Sequence, residues 1–418
     1  MNERKTGDPV VIRVARIFDG ARILDADTVV VRDGLIAEIG RNLAPPHGSE
    51  VVEASDATLL PGLVDAHTHT LAVADLEQAL AFGVTTELDM FCGPDQLRAL
   101  RKAAESRADV ADIRSAGIGA TMPDGHITQL VEMGVYAPFP TLSTPGEAPG
   151  FVAARVAEGS DYLKILVEGG RPLGWSQLPS LDDETLKALV DSAHSHDLPA
   201  VAHISTQADA QRCLTAGVDG LVHAFVDTAP DRRFVDKAAA AGIFVVPTLT
   251  VFEMLYGPGR REGDCVDHPR VRPYLSPGLR ATVQAGGRAN LPSDLPAWAS
   301  AEHAHRATRA LHEAGVPILA GTDVLYPPSV HGLSLHAELA ALVDAGLTPA
   351  EALTAATLAP AQAFRLTDRG RITTGMRADL LLVEGDPTRR IAATTEIIGV
   401  WRAGHRFDRD RYRTTLDT

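Results

Sequence analysis

The chain has 418 residues, which is enough for one large domain and a smaller one. With 45% apolar and 22% charged residues, its composition is that of an ordinary globular enzyme or binding protein. The 39 basic and 54 acidic residues give a formal charge of −15, which argues against nucleic acid and anionic membranes as partners. The opening stretch MNERKTGDPV carries charges where a secretory signal needs an apolar core, and no apolar run approaches the roughly 20 residues of a membrane span. We therefore expect a cytoplasmic protein with a small-molecule partner. Whether the chain forms homo-oligomers is left open.

The cysteines indicate a reduced chain. Cys92, Cys213 and Cys265 are widely spaced, odd in number and outside any CxxC arrangement. They predict neither a disulfide framework nor a cysteine-based zinc site.

Both ends of the chain have the pattern of a small β domain. Residues 10–40 alternate apolar and polar positions around the turn residues Asp19-Gly20 and Asp33-Gly34, and residues 370–408 alternate in the same way. Because chain ends often lie close together, this predicts one small β-sandwich domain from residues 1–62 and 367–418.

The middle of the chain, residues 63–366, alternates strands with helices, beginning with a helix over residues 75–82. Eight such units predict an α/β fold of the (β/α)₈ TIM-barrel type. The predicted helices end at Gly83, Gly159, Gly217, Gly242 and Gly315. Two long connections, residues 119–144 and 250–298, follow the carboxyl ends of strands three and seven, where barrel enzymes build their sites. We expect both to cover a substrate pocket.

The stretch LLPGLVDAHTHT, residues 59–70, has the pattern of a metal-binding strand end. His67 and His69 are two apart, so in an extended strand their imidazoles project from the same face. Neutral imidazole suits zinc and its neighbours among the metals. An isolated pair of this kind could also lie on a solvated edge.

Four more polar residues stand at the ends of later apolar strands. They are Lys164 in DYLKILVEGG, His203 in PAVAHIS, His223 in GLVHAF and Asp323 in ILAGTDV. A polar group in an apolar run is costly without a partner, and all these strand ends meet at one face of a barrel. Together with the first pair they predict a site that can hold two divalent metal ions.

These motifs make the chain resemble the amidohydrolase superfamily. LPGLVDAHTH is similar to the family's opening HxH motif, and the later Lys, His, His and Asp follow in the family's order. Within the family, GRITTGMRADLLLVEGDP and HGLSLHAEL resemble imidazolonepropionase-like proteins and the related metal-dependent prolidases. The resemblance extends from about Val10 to His405. It implies a metal-dependent amidohydrolase, and zinc is the expected ion.

Lys164 separates two versions of the site. An ammonium group beside two divalent cations would be repelled, so an unmodified lysine fits poorly there. In similar proteins a lysine at this position is carboxylated by CO₂ and bridges the metals, so the resemblance implies an N6-carboxylated Lys164. Imidazolonepropionases lack this lysine, and its presence favours the binuclear, prolidase-like branch. In the alternative, Lys164 faces outward, pairs with an acid such as Glu168 and leaves a site for one metal ion.

The predicted reaction is hydrolysis of a carboxamide C–N bond in an N-acyl amino acid, a dipeptide or a cyclic amide. Metal ions lower the pKa of bound water from about 15.7 to about 7, and a hydroxide bridging two ions is expected to attack the carbonyl. Asp323 is expected to accept its proton and pass it to the leaving nitrogen, or to act as a metal ligand only. Hydrolysis of an ester, lactone, carbamate or phosphotriester on the same site stays open. A non-enzymatic binding module is disfavoured because the whole ligand set is present.

Candidate substrate contacts lie in the connections. His126 and His331 are candidate hydrogen-bond donors to a carbonyl or an oxyanion. Arg171 is a candidate clamp for a substrate carboxylate, and Tyr256 is a candidate lining residue. Each of the four could instead stabilise a loop.

Three further histidines, His303, His305 and His312, share one predicted helix. Their spacing and polar neighbours predict a solvated helix face and not a metal site.

Overall fold

The computed structural model describes residues 9–257, 261–286, 295–325 and 327–416. In chain order the strands are β1 (Val10–Ile17), β2 (Thr28–Arg32), β3 (Leu35–Gly40), β4 (Glu50–Pro61), β5 (Leu63–Thr68), β6 (Val84–Asp89), β7 (Asp112–Ser115), β8 (Leu163–Leu166), β9 (Ala200–His203), β10 (Gly220–Val222), β11 (Phe244–Val246), β12 (Leu380–Glu384), β13 (Ile397–Arg402) and β14 (His405–Arg406). The α-helices are α1 (Val73–Ala81), α2 (Pro94–Ser106), α3 (Gln129–Glu132), α4 (Ala148–Glu158), α5 (Asp183–Ser195), α6 (Gln207–Ala216), α7 (Arg232–Ala241), α8 (Leu249–Tyr256), α9 (Glu262–Cys265), α10 (Pro277–Ala285), α11 (Ala301–Glu313), α12 (Leu333–Asp344), α13 (Pro349–Ala355), α14 (Leu358–Ala363) and α15 (Arg409–Thr415).

The two chain ends form one small β domain, as predicted for the β-sandwich. Its strands join in a mixed sheet with the order β14-β13-β12-β4-β1-β2-β3. The strands β1 and β4 pair in parallel, whereas β12 pairs antiparallel with both β4 and β13. The alternation in the sequence places Ile12, Leu59, Leu380 and Trp401 in a common core, and all four are fully buried.

The middle of the chain forms the predicted (β/α)₈ barrel. Strands β5 to β7 and β8 to β11 make two parallel sheets, and the bridge between Ala120 and Ile165 connects them. The eighth position is filled by residues 318–324, whose Leu319 amide donates to the Val245 carbonyl and whose Asp323 amide donates to the His67 carbonyl. This last segment is not a continuous strand: it forms isolated bridges from Ile318 to Val245 and from Val324 to Thr68, and Asp323 between them adopts φ +53°.

The helix ends and long connections agree with the sequence pattern. The helix predicted over residues 75–82 is α1, and the five predicted helix-ending glycines have φ between +68° and +89°. Both long connections border the cavity at the carboxyl ends of the barrel strands, through residues such as Leu130 and Phe252. The second connection contains the helices α8 and α10. Within the described ranges, no helix has the length and apolar character that a membrane crossing needs.

A buried ion cluster joins the barrel to the small domain. Asp112 on β7 accepts hydrogen bonds from Arg369 at 2.6 Å and from Arg377 at 2.9 Å. Burial opposes ionisation, but the two guanidinium groups hold the pKa of Asp112 well below its usual range. The three cysteines are free, and Cys92 and Cys213 are buried.

Candidate metal centre

The first barrel strand ends in two histidines that face the same carboxylate. His67 is fully buried on β5, and His69 follows the end of that strand. Their Nε2 atoms lie 3.3 Å and 3.1 Å from Oδ1 of Asp323. Asp323 reaches this position because its backbone amide is bonded to the His67 carbonyl across the closure of the barrel. The strand pattern and the barrel closure together build this corner of the site.

The later strand ends bring the remaining predicted residues to the same place. The His223 ring lies 4.7 Å from the His67 ring and 4.3 Å from the His203 ring, measured between centroids. Nζ of Lys164 lies 3.4 Å from Nε2 of His67. We call the six predicted ligands the metal centre as a candidate site, of which His67, His223 and Asp323 form a group that could hold a metal ion; the six are His67, His69, Lys164, His203, His223 and Asp323.

Lys164 is buried inside the barrel, so the alternative in which it faces outward and pairs with Glu168 is wrong. Its side chain is 2% exposed, and Glu168 has other partners. One Glu168 oxygen accepts the Gly170 amide at 2.5 Å, and the other accepts the Ser205 hydroxyl. Burial lowers the pKa of Lys164 to about 7, so its amine is uncharged in much of the population at neutral pH.

The donor atoms of the metal centre fit a divalent ion of the zinc type. One potential ligand atom each from His67, His223 and Asp323 lies within 4.8 Å of the others. Atoms that bind a tetrahedral zinc ion at about 2.0–2.1 Å lie about 3.4 Å apart, which is close to the 3.3 Å between His67 and Asp323. Burial lowers the pKa of both His67 and His203 to about 3, which keeps them in the neutral form that binds metal.

Two hydroxyl groups orient the ligand histidines. Oγ1 of Thr248 lies 2.7 Å from Nδ1 of His223, and the Tyr136 hydroxyl lies 3.0 Å from Nδ1 of His69. Such contacts fix the ring orientation and tautomer of metal-binding histidines. The sequence does not predict these two contacts, since neither hydroxyl residue belongs to a motif and each lies in a connection.

An acidic layer lies behind the first strand ends. Glu87 is fully buried and accepts hydrogen bonds from Thr70 at 2.6 Å and from His331 at 2.8 Å. Burial raises the pKa of Asp65 to about 7 and that of Asp89 to about 6. Burial opposes protonation of His331, but the nearby carboxylates outweigh it and raise the pKa of His331 to about 9. This histidine is therefore a buried cation at neutral pH.

A cavity of about 460 Å³ opens onto the metal centre. His126 lines it, with its ring 4.6 Å from the ring of His203, and burial lowers the pKa of His126 to about 3. Of the other candidate contacts, His331 faces Glu87 and Arg171 is exposed beside a separate cavity that contains Asp209. The hydroxyl of Tyr256 is buried and has no hydrogen-bond partner within the described part of the chain. The roles of these four residues toward a substrate stay predictions.

The three histidines on α11 differ from the predicted solvated face. They are half-buried and each has its own partner: the Val226 carbonyl for His303, Glu253 for His305 and Glu351 for His312. The face of α11 that carries these histidines packs against neighbouring elements, although the polar residues around it in the sequence predicted that it would be exposed to solvent. They do not form a common metal site.

Comparisons with known proteins agree with this architecture. Residues 58–406 match the model of the amidohydrolase family. Imidazolonepropionase from Deinococcus deserti is 28% identical over 424 residues, which is 96% of both chains. A solved Xaa-Pro dipeptidase superposes with a TM-score of 0.76 at 21% identity, covering 96% of this chain and 100% of that one. The structure of molinate hydrolase gives 0.75 at 20% identity, covering 97% of this chain and 96% of the other. The chain therefore belongs to the amidohydrolase family and is a metal-dependent hydrolase.

Proposed function

We propose that the protein hydrolyses the carboxamide C–N bond of a small molecule, with two zinc ions held by the metal centre. The observation that carries this proposal is the convergence of four histidines, one lysine and one carboxylate at one end of the barrel, where a single cavity opens onto them. Bound metal ions would supply an activated water and polarise a carbonyl group.

Lys164 supports a site for two ions. Carboxylation by CO₂ requires the uncharged amine, and burial lowers the pKa of Lys164 to about 7. The product is an anionic oxygen ligand in place of a cation, which removes the repulsion between lysine and metal. We therefore assign an N6-carboxylated Lys164 to the active enzyme.

The position of Asp323 favours amide hydrolysis over reactions whose leaving group needs no proton. An amide nitrogen is a poor leaving group unless it is protonated, so this reaction needs a group that carries a proton to the nitrogen. The Asp323 side chain is 23% exposed and lines the cavity while its Oδ1 faces two histidines, so it can accept a proton at the centre and reach a bound substrate. The neutral His126, which lines the same cavity, can donate a hydrogen bond to the carbonyl oxygen.

The test is a screen of matched amides and esters with the zinc-loaded protein in bicarbonate buffer. We expect release of the amine from amides, and a loss on the order of 100-fold or more in Asp323→Asn. Metal analysis should find about two ions per chain, and ¹³C-bicarbonate should give a carbamate NMR signal that is absent from Lys164→Met. Turnover of esters but of no amide, by a protein with a full metal content, would overturn the proposal.

A further inference from the structure

The walls of the cavity indicate which kind of amide fits the site, and this inference rests on the proposed function. We propose that the substrate is an uncharged amide with a bulky apolar or aromatic substituent, and not an N-acyl amino acid or a dipeptide with a free carboxylate.

The walls above the metal centre are apolar and rich in aromatic rings. They are formed by Phe91, Leu130, Leu173, Trp175, Phe252 and Leu255. The volume of about 460 Å³ is in the range of small-molecule sites. An aromatic or aliphatic group of a substrate would therefore be buried against these side chains, with its amide directed at the floor.

The described residues that line this cavity include no arginine, and their one lysine is Lys164 at the floor. Arg171, the predicted clamp for a carboxylate, borders a different cavity. Arg261 in the second long connection is held by Glu253 through two contacts of 2.6 Å and by Asp344 at 2.7 Å. A carboxylate placed against the described part of the walls would thus lose its hydration without gaining a cation there, which is costly.

The mouth of the cavity supports the same conclusion. Met133 and Trp175 line it and are 59% and 39% exposed, among the most exposed large apolar side chains of the described chain. Exposed apolar groups at the rim of a concave site are typical of places that an apolar ligand covers. A charged substituent at this point would contact the same two side chains without an ion pair.

The experiment compares two compounds of the same shape that differ by one charge, 4-(phenylacetamido)benzamide and 4-(phenylacetamido)benzoate. We expect kcat/KM for release of the aromatic amine to be on the order of tenfold or more higher for the carboxamide. Binding is measured in parallel by the fluorescence of Trp175, with Trp175→Phe as the variant that should lose the signal. We expect the neutral compound to bind more tightly by a similar factor.

Met133→Lys and Met133→Gln form the matched pair of variants, since both are polar and flexible and only one is charged. We expect the lysine variant to lower the preference for the neutral compound by about threefold or more relative to the glutamine variant. Equal or tighter binding of the benzoate by the unmodified protein, or the same preference in both variants, would overturn the inference. Tighter binding of the neutral compound without release of the aromatic amine would support the preference of the cavity for uncharged groups and count against amide hydrolysis, whereas equal hydrolysis of both compounds would overturn only this inference.

Discussion

The buried pair of His331 and Glu87 gives a sharp prediction about stability. In His331→Gln the carboxylate of Glu87 keeps a hydrogen-bond donor but loses its buried cation. The pKa of His331 is raised from 6.5 to about 9 in the folded protein, which corresponds to about 3 kcal/mol of stability. Since the side chain is 6% exposed, solvent screening reduces this figure little.

The sign of the pH dependence follows from the direction of the shift. A group whose pKa is raised on folding stabilises the folded state fully below its unfolded value and loses that contribution as pH rises through the folded value. We therefore expect His331→Gln to lower the free energy of unfolding by about 3 kcal/mol near pH 6 and by much less near pH 10.

The assay is urea unfolding of both proteins across this pH range, with the difference between them taken at each pH. His336→Gln is the matched control, because His336 is also buried but burial lowers its pKa to about 4, so it is neutral throughout the range. Because a histidine in the unfolded chain takes up a proton near pH 6, the cost of His336→Gln should rise slightly as pH increases, which is opposite in direction to the change expected for His331→Gln. A cost of His331→Gln that does not fall as pH increases would refute the assignment of His331 as a buried cation.

Three further variants test other parts of the structure. Thr248→Val keeps the shape of the side chain but removes the hydroxyl that orients His223. A competition titration with a chelator should then show a zinc affinity lower by about 10- to 100-fold. An unchanged affinity would contradict the orienting role of Thr248. Lys164→Met should lower the metal content from about two ions to about one per chain, and two retained ions would count against the carbamate. Asp112→Asn removes the carboxylate charge that binds Arg369 and Arg377. It should lower the free energy of unfolding by about 3 kcal/mol at neutral pH, measured by chemical unfolding. Because the pKa of Asp112 is depressed, this cost should shrink as pH falls below about 4, and a constant cost would contradict the ion cluster.

The strand ends are the part of the site that sequence alone predicts. A parallel barrel places the carboxyl ends of all its strands on one face, so residues such as Lys164 and His203 need only be recognised at the ends of apolar runs. No long-range contact has to be inferred for this, because the fold class supplies it.

The connections follow no such rule. Tyr136 meets His69 across 67 positions of the chain, and no local pattern marks the contact. Arg171 lies beside another cavity, on a short helix that begins after Gly170 and ends before Gly174, which have φ +82° and +79°. His331 lies in a connection, but its pairing with Glu87 needs a partner that is 244 residues away. These outcomes depend on backbone turns and tertiary packing that periodicity does not describe.

The backbone bond between Asp323 and His67 has a consequence for how the protein is assembled. These two ligands lie 256 positions apart, on the first and last elements of the barrel, and an ion that binds both links the edges at which the barrel closes. The two ligands come together only after nearly the whole barrel has formed, so metal uptake is expected as a late step in folding. An ion held by both residues would cross-link the chain across a very long loop, and a cross-link of that kind restricts the unfolded chain most.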